Sequence, residues 1–119
     1  MDGASDGDDF DRIDAIAGEI AAERRRQVTR WGRQDHPSVG PAGTEPFVPV
    51  VERWRAVNAA RMGSGAHSWD AILLEEVFEA LAEPDPVRRR AELVQVAAVA
   101  TAEIEAIDRA ADASAGGAR

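Results

Sequence analysis

A chain of 119 residues with 45% hydrophobic content has room for one small core, and without cysteine it can hold no disulfide framework, thiolate metal site or cysteine nucleophile. A formal net charge of −8 excludes general nucleic-acid binding, so any phosphate chemistry points to a bound cation rather than a basic surface. The opening "MDGASDGDDF" is acidic and polar, unlike a signal peptide, and the weakly polar run 93–102 is too short to span a bilayer. A cytoplasmic protein with no membrane partner is expected.

Composition predicts disorder for residues 1–10 and for the small, Gly-rich tail 112–119, leaving a single all-α domain over 11–111. The first helix is predicted from about Asp11 to Arg30, with Ile13, Ile16, Ala17 and Ile20 at helical spacing. "GRQDHPSVGPAGTEPFVP" is a loop by its Pro and Gly content, and a second helix covers about Val50 to Met62. "GSGAHS" breaks the chain, and Ser68 is an N-cap candidate for a third helix from Trp69 to Ala82. "EPDP" ends that helix. Asp85 then caps a fourth, Pro86 suits its first turn, and it continues to about Ala110. No strand alternation or internal repeat is visible, and a four-helix-type bundle is expected.

The third helix has an unusual charge pattern. "ILLEEVFEALAE" carries four glutamates with no Lys or Arg, and Glu75, Glu76, Glu79 and Glu83 fall within one arc of roughly 100°. Leu73, Leu74, Val77, Phe78 and Leu81 take the opposite arc. Like charges at i,i+4 each cost a few tenths of a kcal/mol, so a helix that only needed solubility would mix in basic residues. An apolar face inward and an acidic face to water is the plain alternative.

The fourth helix weighs against that alternative. "LVQVAAVATAEI" is apolar almost all round, as in a helix surrounded by protein, yet Glu92 leads into it and shares a face with Gln95, Val96 and Val99. A buried carboxylate needs a cation, a donor or a raised pKa. A metal ion shared with the glutamates of the third helix satisfies both helices, whereas a pair from Glu92 to Arg88 or Arg89 would satisfy only one. On the first helix, Ile13, Ile16, Ile20, Arg24, Gln27 and Trp31 lie within about 40° of Ile20. The core stripe thus passes into a polar wall near Arg24 and Gln27, closed by Trp31, suited to a nucleobase and phosphates. A core aromatic at a helix end explains Trp31 equally well.

"EEVFE", twelve intervening residues and "ELVQ" together resemble the MazG-like, all-α nucleoside triphosphate pyrophosphohydrolase family, whose signature is Glu-Glu-x-x-Glu followed by Glu-x-x-Asp. "ERRRQVTRWGRQDHP" resembles the segment preceding that signature in small actinobacterial and phage members, and the likeness spans about 11–110. The resemblance implies that Glu75, Glu76, Glu79 and Glu92 bind Mg²⁺, with Mn²⁺ as a substitute. Glu76 and Glu79 would be catalytic. Gln95 stands where the motif has Asp and would join the metal ligands through its carbonyl oxygen, with one negative charge fewer. The implied reaction cleaves an NTP or dNTP between its α- and β-phosphates. Arg24, with Arg30 or Arg33, would neutralise the triphosphate, and Gln27, Trp31, Gln34 and His36 would complete the nucleotide site.

His36 and His67 form no metal pair by spacing, and Arg88-Arg89-Arg90 reads as a solvated helix start or as a phosphate clamp from a neighbouring subunit. The apolar circumference of the fourth helix predicts a homodimer or a dimer of dimers. Two other readings stay open: a weakened nucleotide-binding or regulatory module, favoured by Gln95, and a non-enzymatic helical dimerisation protein.

Overall fold

The structure, a computed structural model, describes residues 6–117. Among these it contains α1 (Asp6–Trp31), a 3-10 turn (Glu45–Phe47), α2 (Val48–Met62), α3 (Trp69–Ala82) and α4 (Pro86–Gly117), with no strand. The all-α expectation holds. None of these helices is long and apolar enough to cross a membrane.

The chain divides into two compact units, Met1–His36 with Thr101–Arg119, and Pro37–Ala100. In the first, α1 starts within the stretch expected to be disordered. Asp6, Asp8 and Asp9 occupy its first turn and Arg30 its last, so both ends complement the helix dipole. Ile16 is its buried residue, and Arg12 donates to Asp112 at 2.8 Å, tying α1 to the distal part of α4. That part extends to Gly117 where composition suggested a disordered tail, because "ADASA" is Ala-rich and Ala costs least in a helix. Residues 1–5 and 118–119 of the expected disordered ends lie outside the described residues. α1 stops at Gly32, whose φ of +70° follows an N–H bond back to the Val28 carbonyl at 2.7 Å. Only glycine takes that left-handed cap without strain.

In the second unit α2 packs on α3, and the 3-10 turn touches both. Val51 of α2 and Ala71 and Ala80 of α3 form the buried centre, and small residues let the helix backbones approach. Phe47 and Phe78 stack at a tilt with ring centroids 6.3 Å apart. The bounds of α3 match the sequence reading, but its cap works differently. Ser68 holds the N-cap position without its side chain bonding the helix backbone. Its hydroxyl instead donates to Asp70, which accepts the Ala71 N–H at 2.7 Å. Those two donors, Ser68 first, hold the Asp70 carboxyl below its ordinary range.

Asp85 caps α4 as expected, accepting the Arg88 N–H at 2.9 Å. Asp85→Ala is therefore expected to cost about 1 kcal/mol, read as a lower melting temperature in circular dichroism. Within the Arg88–Arg90 run, Arg89 donates to the carbonyls of Ser38 at 2.8 Å and Leu81 at 3.3 Å, which binds the loop to the start of α4.

Candidate metal centre

α3 fixes its glutamates by helical spacing, and the fold then withdraws them from water. Glu75, Glu76 and Glu79 are all half-buried, and the Glu79 side chain is only 18% exposed. One carboxylate oxygen from each lies within 4.8 Å of the others. A merely solvated acidic face would be far more exposed. The stripe is part of the packed unit.

Burial first, then the charges of Glu92 and Glu75, raises the Glu76 pKa above its ordinary 4.5. Glu79 is raised by burial, then by its hydrogen bond with Glu75 and the charge of Glu76. Arg55 of α2 opposes this without cancelling it. Its Nε donates to Glu79 Oε1 and its Nη1 to Glu52 Oε1, each at 3.3 Å. The third helix has no basic residue of its own here, and the partner comes from another helix, 24 residues away.

The second residue that sequence reasoning missed is Asn58. It is the buried polar residue of α2, 8% exposed. Its amide donates to the Ala71 carbonyl at 3.0 Å and to Glu75 Oε1 at 2.9 Å. Both neighbours are acceptors, which fixes the amide orientation. The carbonyl oxygen of Asn58 is buried with no hydrogen-bond partner among the described residues. A ring nitrogen of His67 meets the Asn58 backbone carbonyl at 3.2 Å, which accounts for His67 structurally. Asn58→Ala is expected to cost about 2 kcal/mol by breaking the Glu75 contact. Asn58→Asp should cost more at pH 7 than at pH 4.5, because it sets a second carboxylate against Glu75. Thermal melts of the two variants measure both effects.

Glu92 faces Glu79 across a cleft of about 190 Å³ that Val48, Val51, Glu52, Arg55, Ala82 and Glu83 also line. Among the described residues Glu92 makes no ion pair, so the alternative pairing with Arg88 or Arg89 does not occur. Gln95, expected to point inward with Glu92, is exposed instead. Leu93 and Val94 are exposed as well. Among the described residues, part of the apolar circumference of α4 is thus left uncovered.

An all-oxygen set suits a hard cation, and the oxygens of Glu75, Glu76 and Glu79 lie close enough together to share one. The residues present fit a divalent cation.

The expected nucleotide residues lie in the other unit. Arg24 donates to Gln27 at 2.6 Å, and Gln27 and Trp31 line a cleft of about 430 Å³ with Glu23, Arg26 and Arg30. Trp31 is 59% exposed, with the Arg30 guanidinium 4.7 Å from its ring centroid. It is not a core aromatic. Gln34 and His36 are exposed in the segment after α1, where Arg33 pairs with Asp35 at 3.0 Å. The chain matches no protein-family model, no curated protein and no solved structure.

Proposed function

We propose that the protein is a Mg²⁺-dependent nucleoside triphosphate pyrophosphohydrolase of MazG-like type. The observation that carries the reading is the half-buried triad Glu75, Glu76 and Glu79, held together against its own repulsion, with Glu75 bonded by Asn58. Like charges withdrawn from water destabilise a fold, so such an arrangement is kept where a cation uses it. The sequence signature supports the same reading.

Glu75, Glu76, Glu79 and Glu92 would hold the ion, and Mn²⁺ would substitute for it. A bound cation supplies charge neutralisation on the phosphate oxygens and makes a bound water more acidic. Four carboxylates exceed what one Mg²⁺ normally takes from protein, which leaves one to orient the attacking water. Of these, Glu76 or Glu79 would be the one left to accept the proton as the water attacks and the α–β anhydride bond breaks. The products are a nucleoside monophosphate and pyrophosphate. By the resemblance, Arg24, Gln27, Trp31, Gln34 and His36 contact the nucleotide.

One observation favours a weakened, regulatory descendant of such an enzyme: Gln95 is neutral and exposed. Gln95→Asp separates the two readings. Higher pyrophosphate release in the variant marks a site weakened at the metal. Nucleotide binding without turnover in both proteins marks a regulatory module.

A further inference from the structure

Arg55 stands between two acids in unequal settings. Its Nε donates to Glu79 and its Nη1 to Glu52, each at 3.3 Å. The Glu79 side chain is 18% exposed and that of Glu52 69%, so one guanidinium joins an inner acid to an outer one. Both bonds are longer than the about 2.7–2.9 Å of a close charge-assisted pair. Elsewhere the chain makes close pairs, Arg12 with Asp112 at 2.8 Å and Arg26 with Glu23 at 2.7 Å. Arg55 is shared by its two partners and held closely by neither.

Its position gives the sharing a use. Arg55 is the basic residue among those that line the cleft, against the acids Glu52, Glu79, Glu83 and Glu92. Glu79 belongs to the triad whose oxygens lie within 4.8 Å of one another, so Arg55 and an ion held there claim the same carboxylate. Glu52 lies one turn before Arg55 on α2 and stays beside it whichever way the guanidinium turns.

We propose that Arg55 is the resident counter-ion of the triad, displaced when a divalent cation takes Glu79 and retained on the cleft wall by Glu52. Without the ion, Arg55 compensates the charge of Glu79. With it, the exchange sets the concentration at which the site fills. The inference rests on the cation reading above and adds to it a competitor supplied by the chain itself.

The test titrates the full chain with Mn²⁺ alone at pH 7 and reads the free ion by its electron paramagnetic resonance signal. Melting curves without metal report folding. Arg55→Gln is expected to melt lower than the wild type yet to bind Mn²⁺ about fivefold more tightly, the worth of one partly exposed ion pair. A merely structural ion pair would lower the melting temperature and leave Mn²⁺ affinity unmoved. Arg53→Gln removes the same charge from the far side of α2, where Arg53 makes no ion pair among the described residues. It is expected to leave Mn²⁺ affinity unchanged. Glu52→Gln turns Arg55 wholly to Glu79 and should weaken Mn²⁺ about threefold in the wild type but not in Arg55→Gln, because Glu52 acts through Arg55.

No Mn²⁺ binding by the wild-type chain removes the cation reading and this inference together. Wild-type binding with Arg55→Gln no tighter overturns this inference alone, as does an equal gain in Arg53→Gln. Should Arg55→Gln not fold, Glu52→Gln decides, and affinity unchanged or raised in that variant overturns the proposal.

Discussion

Glu79→Ala and Glu76→Ala are each expected to lower pyrophosphate release by at least about 100-fold while the protein stays folded. Neither side chain fills the buried centre, which belongs to Val51, Ala71 and Ala80. Both are acids whose burial and neighbours disfavour ionisation. Removing one relieves repulsion within α3, so the metal-free variants should melt no lower than the parent and gain up to a few degrees. Activity and stability then move in opposite directions, a result that a purely structural role for these residues does not give. Rates and melting curves on the same preparations measure the two together.

The second large effect is on stability itself. A cation that binds only the folded state stabilises it by about 2.7 kcal/mol at 100 times its dissociation constant, so the melting temperature should climb with Mg²⁺ or Mn²⁺. Protons act on the same groups. Glu76 and Glu79 have folded-state pKa values above their ordinary 4.5, so their contribution is most favourable below 4.5 and is lost as pH rises through the raised values. The metal-free protein should therefore be more stable just below pH 5 than at pH 7. The stabilisation by Mg²⁺ should shrink over the same window as protons displace the ion. Differential scanning calorimetry at the two pH values, with and without Mg²⁺, measures both. Identical melting curves with and without millimolar metal at pH 7 would remove the cation from the account.

Much of this was legible in the residues. Gly and Pro punctuation bounded α3, and Asp85-Pro86 marked the start of α4, because caps and breakers act locally. The helix ends at Asp6 and Gly117 were not, since composition weighs small and polar residues without the dipole and propensity terms that extend a helix. The glutamate cluster was visible because helical spacing alone assembles it. Arg55 and Asn58 were missed because only the packing of α2 on α3 brings them to Glu79 and Glu75. One signal was available: Val51 and Asn58 lie two turns apart on α2, so a polar amide interrupts its buried stripe. Gln95 shows the converse failure. Its place on the wheel suggested burial, but helical phase fixes direction and does not provide the neighbours that cover a residue.

The central claim is that the half-buried glutamates hold a cation for cleavage of nucleoside triphosphates. Its most direct test offers the purified chain a panel of NTPs and dNTPs with Mg²⁺, with EDTA, and with Glu79→Ala in place of the parent. The account predicts pyrophosphate and the matching monophosphate from at least one nucleotide with Mg²⁺, and neither product in the other two arms. Pyrophosphate from no nucleotide, or release indifferent to EDTA and to Glu79→Ala, would contradict it.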